Sequence, residues 1–100
     1  MIRYEVTLEC SAATAPALDR WMRNTHVPDM LATGCFVAIH FDRGTDDRFR
    51  TVSQAATQQQ LDRYLADYGD RLRGEFRREF PEGVAVVRDV WCQMQHWAAP

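Results

Sequence analysis

The chain has 100 residues, 46% hydrophobic and 26% charged, with a formal net charge of −2. That is the composition of one small globular domain, whose modest core makes self-association common. The charge offers no basic surface for nucleic acid or a membrane, and no apolar run is long enough to span a bilayer.

Residues 2–10 alternate, with Ile2, Tyr4, Val6, Leu8 and Cys10 against Arg3, Glu5, Thr7 and Glu9. That is a half-buried strand. Pro16 then fits the first turn of a helix, where its missing N–H costs little. Leu18, Trp21, Met22 and Thr25 follow helical spacing. Pro28 biases Val27 toward an extended conformation, so this helix is expected to stop near His26. A one-turn helix over 28–33, closed by Gly34, should follow. Residues 35–41 read as a second strand, 42–47 as its hairpin turn and 49–56 as a third strand. Thr57 with Gln60 has the form of a capping box. A long helix follows with the stripe Leu61, Tyr64, Leu65, Tyr68, Leu72 and Phe76, an Asp67–Arg71 pair and a bend at Gly69. Pro81 and Gly83 end it, and residues 84–94 read as the fourth strand.

The order β-α-β-β-α-β is the ferredoxin-like pattern of the α+β class. It predicts a four-stranded antiparallel sheet with two helices on one face. The first and third strands are central, and the second and fourth are edges. Residues 1–97 form one domain and 98–100 a tail. The fourth strand, VAVVRDVW, is a poor exposed edge, and a second copy of the chain is the simplest cover.

The combination of Trp21, Met22, His26, Pro28, Thr33, Gly34 and Phe36 with RYLADYGDRLR, and with FP before the last strand, resembles a short bacterial family, domain of unknown function 4286. The resemblance extends from the first strand to Trp91. It implies the dimeric α/β-barrel form of the ferredoxin-like fold. More loosely, Trp21 followed by His26 and Pro28 is similar to the barrel family of ethyl-tert-butyl-ether degradation proteins and several small cyclases. Haem-degrading relatives of that barrel place a ligating histidine on the second helix, and residues 58–79 contain none.

Composition excludes other chemistry. All twelve basic residues are arginine. Without lysine there is no Schiff base and no capture of pyridoxal phosphate. No P-loop, CxxC, HxxxH or HExxH occurs, so no cofactor or metal site is expected. Cys10, Cys35 and Cys92 are odd in number and scattered, which favours reduced thiols in a cytoplasmic protein. An N-terminus that begins directly with strand alternation carries no signal-peptide pattern.

His26 is the first candidate for acid/base work, since imidazole titrates near neutrality. A place near a helix C-terminus would favour its charged form. The alternative is a structural cap on the last helical carbonyls. Arg50 is the candidate to polarise an oxyanion, and His40 a further catalytic group or an exposed edge residue. Glu5, Thr7 and Trp21 are candidate substrate contacts. The competing reading makes Glu5, Glu9, Arg48 and Arg50 cross-strand ion pairs, and Trp21 core. The site is expected between the end of the first helix and the open sheet face. Two functions stay open: cofactor-independent catalysis of the cyclase, isomerase, dehydratase or oxygenase type on a small organic molecule, or a non-catalytic binding or accessory dimer.

Overall fold

A computed structural model describes residues 1–100. Strands β1 (Ile2–Glu9), β2 (Ala38–Arg43), β3 (Arg48–Ala55) and β4 (Ala85–Cys92) form one antiparallel sheet in the order β2-β3-β1-β4. The predicted central and edge strands are the observed ones. In β1, Ile2, Tyr4 and Leu8 are buried against the helices, while Arg3, Glu5, Thr7 and Glu9 take the other face. The second strand starts three residues later than expected. The loop at Cys35–Val37 comes first, with Cys35 and Phe36 turned into the core. Asp46 and Asp47 close the β2–β3 hairpin with φ of 56° and 54°, a conformation aspartate tolerates.

The helical layer differs from expectation at Pro28. The first helix does not stop at His26. It runs as α1 (Ala15–Trp21), a π-turn (Met22–His26) and α2 (Val27–Ala32) without leaving helical backbone angles. In a regular α-helix the Pro28 ring would meet the carbonyl of Asn24. The wider turn removes that collision: the Val27 N–H donates to the Met22 carbonyl, five residues back. Val27 keeps φ −63° and ψ −45°, so the bias imposed by the following proline is overridden by packing. The second helix is built alike, as α3 (Gln58–Tyr64), a π-turn (Leu65–Gly69) and α4 (Asp70–Glu79). Thr57 accepts from the Gln60 N–H at 3.2 Å, one half of the predicted capping box. Gln60 does not return the bond. Arg71 pairs with Glu75 at 3.4 Å instead of Asp67.

Two clusters make the core. Ile2, Tyr4, Met30, Phe36, Leu61, Tyr64 and Leu72 pack under α2 and α3. Leu8, Leu18, Met22, Phe49, Phe76 and Phe80 pack under α1 and α4. Val6 touches both, so the seam between them crosses the middle of β1. No helix is long and apolar enough to cross a membrane.

Gly34 ends α2 with φ +75°, as the sequence LATG predicts. The Thr33 hydroxyl donates to the Met30 carbonyl at 2.7 Å, and Arg63 donates to the Thr33 carbonyl at 3.2 Å, which ties this end to α3. A Cβ on Gly34 would meet only the Arg63 guanidinium, at 3.8 Å. The obstacle to substitution is therefore backbone strain, not space. Gly34→Val is expected to lower stability by more than about 1 kcal/mol in urea melts. An unchanged midpoint would contradict it.

Candidate functional site

His26 is the last residue of the first π-turn. Side chains five apart lie over one another in such a turn, and His26 accordingly stacks on Trp21 with ring centroids 5.2 Å apart. Phe76 of α4 meets the His26 ring edge-on at 6.0 Å. Nδ1 of His26 is buried without a hydrogen-bond partner. The helix continues past His26, so the ring caps no helix end. The expected gain for the charged form is absent for the same reason. Burial instead pushes the His26 pKa down to about 4, helped by Arg88 and opposed by Asp29 and Glu75. The imidazole is neutral at pH 7.

The ring borders a cavity of about 30 Å³, room for one or two waters. It lies on the seam between the core clusters, on the helix-covered side of the sheet. Leu8, Val6, Met22, Met30, Leu72, Phe76 and Val86 give it apolar walls, and Tyr4, Thr51, Tyr64, Arg73 and Arg88 its other polar groups. Burial holds the Tyr64 phenol protonated far above neutral pH, so it acts as a hydrogen-bond donor. Arg73 is paired with Asp70 at 2.5 Å, while Arg88 has no carboxylate partner. This set combines apolar walls with a neutral imidazole that can accept a proton and a guanidinium that can stabilise negative charge.

The predicted residues divide between two faces. Trp21 and His26 meet at the cavity. Glu5, Thr7, Arg50 and His40 stand on the opposite, open face, in the rows Thr7–Arg50–Asp42 and Glu5–Val52–His40. The sheet separates them from His26, and the expected site between the first helix and the open face is not formed. Arg50 Nε donates to Asp42 Oδ2 at 2.9 Å, and more than half of its side chain is exposed. An ion pair so exposed contributes little. Arg48 bonds to the Thr45 carbonyl at 3.2 Å, so the predicted Glu–Arg pairs across β1 and β3 are absent. His40 is exposed. Cys35 is buried, and the Cys10 thiol is pushed up by burial and by Asp47. No three His, Cys, Asp or Glu side chains cluster as a metal site would need.

Arg88, Arg73 and Thr51 were not legible as site residues. Arg88 shares its face with Val86 and Val90, while Val87 and Trp91 share the other face with Asp89. Neither face of β4 is cleanly apolar. The signal that finds Arg88 is register: it stands opposite Val6, beneath the helices.

Three solved structures are similar over nearly their full length. One, from Deinococcus radiodurans and named provisionally as an antibiotic biosynthesis monooxygenase, has a TM-score of 0.73 at 14% identity and covers 100% of this chain and 99% of its own. A dimeric ferredoxin-like protein from an uncultured marine organism has a TM-score of 0.72 at 4% identity, covering 99% and 100%. An ethyl tert-butyl ether (ethd) family protein from Bacillus halodurans has a TM-score of 0.71 at 13% identity, covering 94% and 100%. At such identities the likeness establishes the fold alone. No curated protein matches the chain in sequence. The model of one family, described as a domain of unknown function (DUF4286), matches residues 1–94, and the chain belongs to that family.

Proposed function

We propose that the protein is a cofactor-independent acid/base catalyst acting on a small organic molecule in the cavity between helices and sheet. The reaction is of the cyclase, isomerase, dehydratase or oxygenase type. One observation carries this reading: His26 presents a neutral, half-buried imidazole, its Nδ1 buried without a partner, beside a cavity that also holds a guanidinium. An orphaned buried nitrogen has a desolvation cost of about 1–3 kcal/mol, which a ligand hydrogen bond would recover. His26 acts as the base, and a negative charge forming next to it raises its proton affinity during the reaction. The likeness to proteins named for an antibiotic biosynthesis monooxygenase and an ethyl tert-butyl ether (ethd) family supports small-molecule chemistry in this fold.

The test is His26→Ala screened for turnover of small enolisable and phenolic compounds alongside the parent protein. Activity in the parent that falls at least about 100-fold in the variant, with the melting transition retained, supports the base role. Turnover that survives the substitution removes His26 from it. Binding without any turnover in the parent favours the non-catalytic alternative.

We propose further that the chain is a homodimer joined through its open sheet face and β4. Val87 and Trp91 are 55% and 58% exposed on that face, beside Glu5, Thr7, His40 and the Arg50–Asp42 pair. These residues then belong to the contact between copies and not to the cavity. The likeness to a dimeric ferredoxin-like protein supports this arrangement. Light scattering should give twice the chain mass at micromolar concentration, and Trp91→Glu should halve it. A monomer mass for the parent overturns the proposal.

A further inference from the structure

Twelve arginines occupy this chain, and nine of them are engaged within it. Arg23, Arg43, Arg50, Arg71 and Arg73 hold carboxylates. Arg3, Arg48, Arg63 and Arg77 donate to a side-chain amide or to backbone carbonyls. The remaining three are Arg20, Arg78 and Arg88. Arg20 and Arg78 are exposed on helices away from any cavity. Arg88 alone of the three lines the cavity.

Its position is unusual for a solvated charge. Arg88 is on the helix-side face of the β4 edge, opposite Val6 and between Val86 and Val90. Arg88 lines the cavity and is exposed to solvent, so its charge stays hydrated. No aspartate or glutamate lines the cavity. The carboxylates whose field reaches His26 are Asp29 of α2 and Glu75 of α4, and Glu75 is held by Arg71. The second guanidinium on the wall, Arg73, is paired with Asp70. The cavity therefore carries one guanidinium without a carboxylate partner, the paired Arg73, the His26 ring, hydroxyl groups from Tyr4, Tyr64 and Thr51, and otherwise apolar walls.

Resting on the cavity reading above, we propose that the ligand is an organic anion: a small, flat apolar body between the core clusters, with its negative oxygen on Arg88. A guanidinium binds a carboxylate or phenolate oxygen with charge-assisted hydrogen bonds that a neutral ligand does not provide. A cationic ligand meets a guanidinium without a carboxylate partner and no carboxylate on the wall. The cavity as it stands has room for one or two waters, so binding requires wall residues such as Phe76, Met22 and Met30 to move apart around the apolar body, with the anionic end on Arg88.

Three probes of one shape separate the possibilities: benzoate, benzyl alcohol and benzylammonium, titrated calorimetrically at pH 7 into the full chain. Benzoate should bind at least tenfold more tightly than benzyl alcohol, and benzylammonium should not bind. Arg88→Gln should bring benzoate down to the level of the alcohol and leave the melting temperature unchanged. Arg78→Gln makes the same change in net charge on an exposed helix, and it should leave benzoate binding intact. Benzoate and benzyl alcohol binding alike, with no loss in Arg88→Gln, would keep the cavity and overturn the anion assignment. Equal losses in both arginine variants would reduce the effect to net charge and also overturn it. Failure of all three probes to bind would remove the cavity reading itself, and this inference with it.

Discussion

Acidification from pH 7 to pH 4 is expected to cost the fold about 2–3 kcal/mol through His26 alone. The sign follows from the two pKa values. In the unfolded chain the imidazole titrates near its ordinary 6.5, and in the folded protein near 4, because burial disfavours the cation. Between those values the unfolded state binds more protons than the native one. The stability due to a neutral His26 is thus fully present above pH 6.5 and is lost as pH falls toward 4. Burial sets most of the depression, and the charges of Asp29, Glu75 and Arg88 adjust it. Carboxylates elsewhere add their own acid dependence, so the measurement is a difference. Urea unfolding of the parent and of His26→Gln at several pH values should give curves that diverge below pH 6.5, with the parent losing more. Curves that stay parallel down to pH 4.5 would show that the ring is solvated in the native state, and the proposed base would lose its distinguishing feature.

The strand pattern was legible because β1 has one buried face and one polar face. Alternation from Ile2 to Glu9 reports that directly, and the turn chemistry around Gly34 and Gly44–Asp47 fixes what lies on either side. The helix at Pro28 was not legible. A proline rule weighs only local sterics, and the burial of Met22 and Met30 on both sides of Pro28 outweighs it by recruiting a π-turn. That one turn has two consequences for the site. It removes the helix end that would have charged His26, and it sets Trp21 over the imidazole.

The faces explain the rest. Sequence reading groups polar residues on strands, and Glu5, Thr7, Arg50 and His40 are indeed together, but on the side away from the helices. A cavity in this fold needs polar atoms on the apolar side, where they interrupt a hydrophobic pattern and read as noise. Arg88 among valines and Thr51 and Ser53 in β3 are such interruptions. Ser53 is wholly buried with an unpartnered hydroxyl, and only the register of β1 against β3 shows that it faces the same layer as Tyr4. His26 is legible from its chemistry and Trp21 from its neighbourhood in sequence. Tyr64 and Phe76 read from the helical stripe as core residues, and they are both core and cavity wall.

Phe76 joins stability to the site, so its removal should move both. It is 6% exposed and lies against Trp21 at 5.7 Å, His26 at 6.0 Å and Phe80 at 5.6 Å, with the Arg77 guanidinium 5.5 Å from its ring. Phe76→Ala is expected to cost about 3–5 kcal/mol, from lost burial and the space left behind. That is a large share of the roughly 5–15 kcal/mol that hold such a domain together. The new space joins the existing cavity and admits water to the imidazole. The His26 pKa should then rise from about 4 toward 6.5, since burial is the main cause of its depression. Phe76→Leu keeps part of the wall and should show both effects in smaller measure, which preserves the test if the alanine variant fails to fold. Urea melts give the first quantity and an NMR titration of the imidazole protons the second. A folded variant whose His26 still titrates near 4 would assign the desolvation to Trp21 and the helix backbone. Phe76 would then be a packing residue with no hold on the chemistry. A matched rise in pKa and fall in stability would place the base and the core on the same aromatic contact.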